Sequence, residues 1–195
     1  MSLCGYLPRL GLLLLVVSTL SAQSSPDVMK ARVKSFRRSA EQGDAGAEMW
    51  LGASYEQGWT GRKNFKQALK WFRKAAAQGQ PDAENSLGQM YQDGEGVKQN
   101  YKLAAVWYRK AAEHVPDLGG AGQGRNNLGL LYFNGWGVPQ DFVQAYMWFA
   151  LTPFDENFKQ AQSKMTPEQI LEGQRLADDW NQQHGLKRRF RLLLF

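Results

Sequence analysis

An internal repeat of about 36 residues limits what this chain can fold into more than any other feature of it. "LGASYEQG" begins at Leu51, "LGQMYQDGEGV" at Leu87 and "LGLLYFNGWGV" at Leu128. Each is followed by a related second half: "NFKQALKWFRKAA" from Asn64, "NYKLAAVWYRKAA" from Asn100 and "DFVQAYMWFALTP" from Asp141. The interval from Trp71 to Trp107 is 36 residues and that from Trp107 to Trp148 is 41, the extra length falling in "EHVPDLGGAGQGRNN", a loop or a stretched helix end. A unit this short cannot cover its own apolar face, so neighbouring units must stack.

The spacing within each unit predicts two helices. Ala47, Leu51 and Tyr55 recur at i, i+4 and i+8, one apolar stripe of a first helix, and Ala83, Leu87 and Tyr91 repeat it. Gly52, Gly88 and Gly129 lie inside that helix, where glycine costs about 1 kcal/mol relative to alanine. That cost points to a crossing at which another backbone comes too close for a Cβ. Gly58, Gly94 and Gly135 stand where a left-handed cap is expected, and Gly96 and Gly137 turn the chain. Copy one has Thr60 in place of that second glycine, so Gly61 takes over its turn. Phe65, Ala68, Trp71, Phe72, Ala75 and Ala76 then mark a second helix with close-packing alanines. Trp71, Trp107 and Trp148 repeat with the fold and are expected in its core, whereas Trp59 and Trp136 follow helix-ending glycines in turns.

The ends differ from the body. Ala31 to Asp44 aligns with a second helix alone and is expected to close the amino-terminal side. After the third copy Thr152 and Pro153 replace the alanine pair. In "MTPEQILEGQRLADDW" Thr166 is placed to cap a helix, with Pro167 at its first position and Gln169 as capping-box partner.

Residues 1–24 carry one cation, Arg9, and an apolar run from Leu10 to Val17, the pattern of a secretory signal peptide with too short a run to span a bilayer comfortably. An exported chain, periplasmic or secreted, is therefore expected. The one cysteine, Cys4, precedes that run, so no disulfide, thiol nucleophile or cysteine metal site is expected beyond it. His114 and His184 are the only histidines, and they are far apart in sequence. The net charge of +6 resides largely in "GLKRRFRLLLF", which leaves the body nearly neutral and argues against a nucleic-acid-binding face. The segments read as a signal peptide (1–24), an amino-terminal capping helix (25–43), repeats over 44–79, 80–115 and 116–153, capping helices (154–184) and a basic, apolar tail (185–195).

These residues resemble the Sel-1-like repeat, a relative of the tetratricopeptide repeat with the approximate pattern A-x-x-x-L-G-x-x-Y-x-x-G-x-G-V-x-x-D-Y-x-x-A-x-x-W-x-x-x-A-A. The match runs from Ala31 to Pro153 in three copies. The resemblance implies an all-α, right-handed α/α solenoid of antiparallel helix pairs that binds proteins or peptides. One cysteine-rich branch of the family has been linked to penicillin binding, but its cysteines are missing here.

The rest of the sequence supports binding rather than catalysis. The Gly94–Gly96 pair lacks the G-K-[ST] ending of a phosphate loop and follows a helix where a strand is required. "GGAGQGRNN" with Arg125 is a minor candidate for an anion site, against a flexible connection. No Ser-x-x-K, G-x-S-x-G or H-E-x-x-H motif occurs, so a cell-wall or β-lactam-related enzyme is the remote alternative. No cofactor, metal or nucleic-acid partner is expected, and the expected state is a monomer. In related solenoids the first helix of each pair lines the concave face. By that analogy the candidate partner contacts are Met49, Ala53 and Glu56 in copy one, Asn85, Gln89 and Gln92 in copy two, and Asn126, Leu130 and Phe133 in copy three. The rival reading is an envelope structural protein attached peripherally to membrane by the tail, where Lys187, Arg188, Arg189 and Arg191 alternate with Phe190 and Leu192.

Overall fold

The computed structural model describes residues 26–115, 119–152 and 156–186, so the candidate signal peptide and residues 187–195 of the tail lie outside the described residues. Nine helices account for the regular structure among them: α1 (Pro26–Glu41), α2 (Ala45–Gln57), α3 (Phe65–Ala77), α4 (Pro81–Asp93), α5 (Tyr101–Ala112), α6 (Gly120–Asn134), α7 (Phe142–Ala150), α8 (Glu156–Gln162) and α9 (Pro167–Gln183). From α1 to α8 each helix packs on the next along the chain, α4 also packs directly on α6, and α9 returns to α7. The result is an all-α solenoid of helix pairs, α2–α3, α4–α5 and α6–α7, with α1 before them and α8 and α9 after.

The helix ends are fixed by the same chemistry in every copy. Asn64, Asn100 and Asp141 cap the second helices, their side-chain oxygens accepting from the N–H groups of Gln67, Leu103 and Gln144 at 3.1, 3.1 and 3.0 Å. Gly94 ends α4 in the left-handed region at φ 76°, and its N–H donates to the Met90 carbonyl. Gly58 and Gly135 end α2 and α6 the same way. The connection is then pinned across its base, because the N–H of Asn64, Asn100 and Asp141 donates to the carbonyl of Tyr55, Tyr91 and Tyr132. Thr166 and Gln169 form the expected capping box at the start of α9, with Pro167 inside it.

The glycines inside the first helices mark close approaches of a different kind from the backbone crossing that the sequence leads one to expect. A Cβ on Gly52 would lie 2.6 Å from the Phe72 ring, and one on Gly129 would lie 2.5 Å from the Phe149 ring. Gly88 stands in the same relation to the Tyr108 ring, and Gly173 of α9 to that of Tyr146. Each glycine is thus a socket for one aromatic ring of the second helix. Phe72, Tyr108 and Phe149 are accordingly fully buried or nearly so. Backbone contact occurs instead at the turns. A Cβ on Gly96 would lie 2.8 Å from the Phe65 backbone, so the turn of one repeat rests on the start of the preceding second helix.

This arrangement changes the expected role of the tryptophans. Trp148 is buried, but Trp71 and Trp107 are only half-buried, and Lys74 and Lys110 lie over their rings with Nζ 4.5 Å from each centroid. The core position belongs to the residue that follows each of them, because that is the ring for which the glycine leaves space. Of the two forms expected for the glycine-rich insertion, its described part, from Gly119 on, takes the stretched helix end and not a flexible link. It becomes the first turns of α6, 15 residues long against 13 for α2 and α4. A Cβ on Gly120 would collide with the Pro81–Asp82 backbone and one on Gly124 would meet the Ala111 Cβ at 2.7 Å, which explains the small residues there.

Candidate partner-binding face

Successive pairs are joined by one polar contact that recurs with the repeat. Arg37 donates to the Tyr55 hydroxyl at 3.2 Å, Arg73 to Tyr91 at 2.9 Å and Arg109 to Tyr132 at 2.6 Å. In each case a second helix reaches the first helix of the next pair, so the tyrosine that completes the Leu–Tyr stripe also sets the register between units. A second recurring contact lies at the other end of the first helices. The buried Glu48 accepts from Gln78 at 2.8 Å, and the buried Glu84 is 2.8 Å from His114 Nε2. Burial is the main influence on Glu84 and raises its carboxyl pKa above the ordinary 4.5, with His114 opposing that shift.

In copy three the corresponding position is Arg125, and its environment rules out the anion-site reading. The side chain is buried, its Nε donating to the Ala112 carbonyl at 3.0 Å and an Nη to the His114 carbonyl at 2.9 Å. Its guanidinium lies 4.9 Å from the Trp180 ring centroid. Arg125 therefore satisfies carbonyls beyond the end of α5, where a cation is favoured, and ties that end to α9.

The nine candidate contact residues fall into three situations. Gln89 is exposed on α4. Met49, Ala53, Glu56, Gln92, Asn126, Leu130 and Phe133 are half-buried. Asn85 does not face solvent: it retains 2% of its surface, donates to Gln123 Oε1 at 3.1 Å and accepts from Asn127 Nδ2 at 2.9 Å. The direct packing of α4 on α6 closes over Asn85, and its amide is the polar link between these two helices.

The half-buried members each have an internal partner as well as a free edge. Met49 and Ala53 pack against the cluster that contains Leu87 and Met90. Leu130 and Phe133 pack against the last core, Phe133 edge-on to Phe142 at 5.3 Å. Asn126 accepts from Asn157 at 3.1 Å, and Gln92 accepts from the Tyr108 hydroxyl at 3.2 Å. Glu56 has its pKa raised chiefly by burial, with Glu95 adding to the effect. The row is thus a preorganised wall of apolar edges and amides, with Gln89 projecting from its middle. Trp50 and Trp136 remain exposed at 46% and 44%. Trp136 was foreseeable from its turn, whereas Trp50 has no such signal: it lies inside α2 and stacks on Phe36 of α1 at 5.9 Å.

A continuous stack of helix pairs with a polar and apolar first-helix row defines a helical repeat scaffold. The Sel1 repeat model matches residues 45–80, 81–114 and 123–151, about half of the chain, and the protein belongs to the Sel1 repeat family. It is similar to the crystal structure of a protective antigen of uropathogenic Escherichia coli strains displaying an SLR fold, with 32% identity and a TM-score of 0.68 over 84% of this chain and 37% of that one. It is also similar to a Sel1 repeat protein from Oxalobacter formigenes, with 33% identity and a TM-score of 0.53 over 80% of this chain and 57% of that one. The chain therefore spans less than two thirds of either structure. A comparison with curated proteins gives no match.

Proposed function

We propose that the protein is a non-enzymatic scaffold that binds an extended protein or peptide segment along the first-helix row, the concave face of the solenoid. The observation that carries this reading is the row itself, in which half-buried Met49, Ala53, Leu130 and Phe133 offer fixed apolar edges while Gln89 and Asn126 offer amides. Side-chain amides satisfy a backbone N–H and C=O together, and the packed apolar edges lose little entropy on binding. We further propose export to the cell envelope. The support for that is the composition of residues 1–24.

The test is affinity capture from a cell-envelope extract with the wild-type protein and with Gln89→Arg. Gln89 is exposed, and substitutions at exposed positions change stability little, so helicity by circular dichroism should be unchanged. A partner captured by the wild type and lost with Gln89→Arg supports this face. Equal capture by both proteins refutes it.

A further inference from the structure

The near-neutral charge of the repeat body is the sum of two layers of opposite sign. The first helices α2 and α4 carry carboxylates and no lysine or arginine, whereas the second helices α3 and α5 carry lysines and arginines and no carboxylate. The outward side of that second layer repeats with the 36-residue period. Lys66, Lys70 and Lys74 are exposed along one face of α3, and their equivalents Lys102, Val106 and Lys110 are exposed along the same face of α5. Leu103 adjoins them, and it and Val106 are 40% and 50% exposed. In the third copy the matching positions are Val143, Met147 and Leu151, of which the last two are buried, and α9 packs on that helix. The open basic face therefore belongs to α3 and α5. Lys110 shares a pocket with Glu84 and Glu113. Lys66, Lys70, Lys74 and Lys102, in contrast, form no ion pair among the described residues.

We propose that this face docks the protein on an anionic phospholipid surface, with the four lysines at the headgroups and Leu103 and Val106 set among them. Lysines without a carboxylate partner are drawn to the negative potential of such a surface, and exposed apolar side chains beside them gain from burial at the interface. Two observations select lipid over another polyanion. The exposed apolar pair gives a phosphate backbone nothing to bind, whereas a headgroup layer takes it up. The rings on which bases would stack are already engaged, because Trp71 and Trp107 are half-buried with Lys74 and Lys110 Nζ 4.5 Å from their centroids. The second-helix layer is also separate from the first-helix row, so a lipid surface on one and a peptide on the other do not compete.

The test uses the full chain with Cys4→Ser and a nitrobenzoxadiazole label on Val106→Cys, mixed with vesicles of equimolar phosphatidylglycerol and phosphatidylcholine. The label should shift its emission to the blue, and the same label on Gln89→Cys should not, which separates docking by this face from attachment by residues 1–24 or 187–195. Phosphatidylcholine vesicles should give no shift, and affinity should fall about tenfold or more between about 50 mM and about 500 mM NaCl. Lys70→Glu/Lys102→Glu should lower affinity about tenfold or more with circular dichroism unchanged. Lys159→Glu/Lys164→Glu makes the same change of net charge at exposed positions in and just beyond α8, and should have a clearly smaller effect. A silent label at 106, equal shifts from 106 and 89, or equal losses with the two double variants overturns the proposal. Tighter binding of polyglutamate or of an oligonucleotide than of the vesicles overturns it as well.

Discussion

Gly52→Ala isolates the packing rule that organises every copy. The new Cβ would lie 2.6 Å from Phe72 Cδ1 and 2.7 Å from Cε1, whereas carbon atoms pack best at about 3.5 to 4.0 Å. The Phe72 ring must move by about 1 Å, yet its side chain is fully buried and hemmed in by Ala68, Ala75 and Leu87. Overpacking of this kind costs about 1 to 3 kcal/mol, and two close approaches on a fixed ring place it near the top of that range. Alanine returns about 1 kcal/mol of helix preference, which leaves a net loss of about 2 kcal/mol. For a chain of this length that lowers the melting midpoint by about 4 to 8 °C. Gly46 of the same helix is the internal control, because a Cβ there meets only Asp44 Oδ1 at 3.4 Å. Gly46→Ala should raise the midpoint or leave it unchanged. Thermal denaturation followed at 222 nm decides the matter. Phe72→Leu in the Gly52→Ala background should cost at least about 0.5 kcal/mol less than in the wild type, because the ring no longer opposes the Cβ. A Gly52→Ala protein as stable as Gly46→Ala, or strict additivity with Phe72→Leu, would refute the socket explanation.

Three further outcomes follow from other contacts. Asn85→Leu should cost about 1 to 3 kcal/mol in urea denaturation, since it strands the amides of Gln123 and Asn127, while Gln89→Leu four residues on should stay within about 0.5 kcal/mol of wild type. Glu84 holds its proton more tightly in the folded state than in the unfolded chain, so its contribution to stability is full below pH 4.5 and is lost as pH rises through the raised pKa. Measured against wild type, Glu84→Gln should therefore compare more favourably at pH 7 than at pH 4; the opposite trend contradicts the assigned direction. Co-sedimentation with anionic liposomes should decrease on removal of residues 186–195 if the tail is a membrane contact, and no difference removes that function from the tail.

The repeat made the helix pairs legible because its period, its cap glycines and its capping box are local features with local causes. Gly94 and Thr166 act as the sequence leads one to expect for that reason. The choice between Trp107 and Tyr108 was not legible in the same way. Adjacent residues on a helix differ by about 100° in direction, and a run with two neighbouring aromatics fits the apolar stripe in either register. The deciding information is Gly88 on the partner helix, whose missing Cβ admits only one of the two rings. Asn85 and Arg125 were misread for a related reason. Both are polar residues that their own helices leave outward, but they are enclosed by contacts from another copy or from α9. Of the residues named for the binding row by analogy with related solenoids, Gln89 is exposed and seven others are half-buried, a difference in packing that the analogy does not carry.

Site-specific photo-cross-linking tests the binding face most directly. A benzophenone amino acid is placed at Gln89 on the first-helix row or at Val106, which is 50% exposed on the second helix α5. Irradiation in the presence of envelope extract should give a discrete adduct from position 89 and none from position 106. An adduct from position 106 alone, or equal yields from the two, would contradict the assignment of the first-helix row as the partner's site.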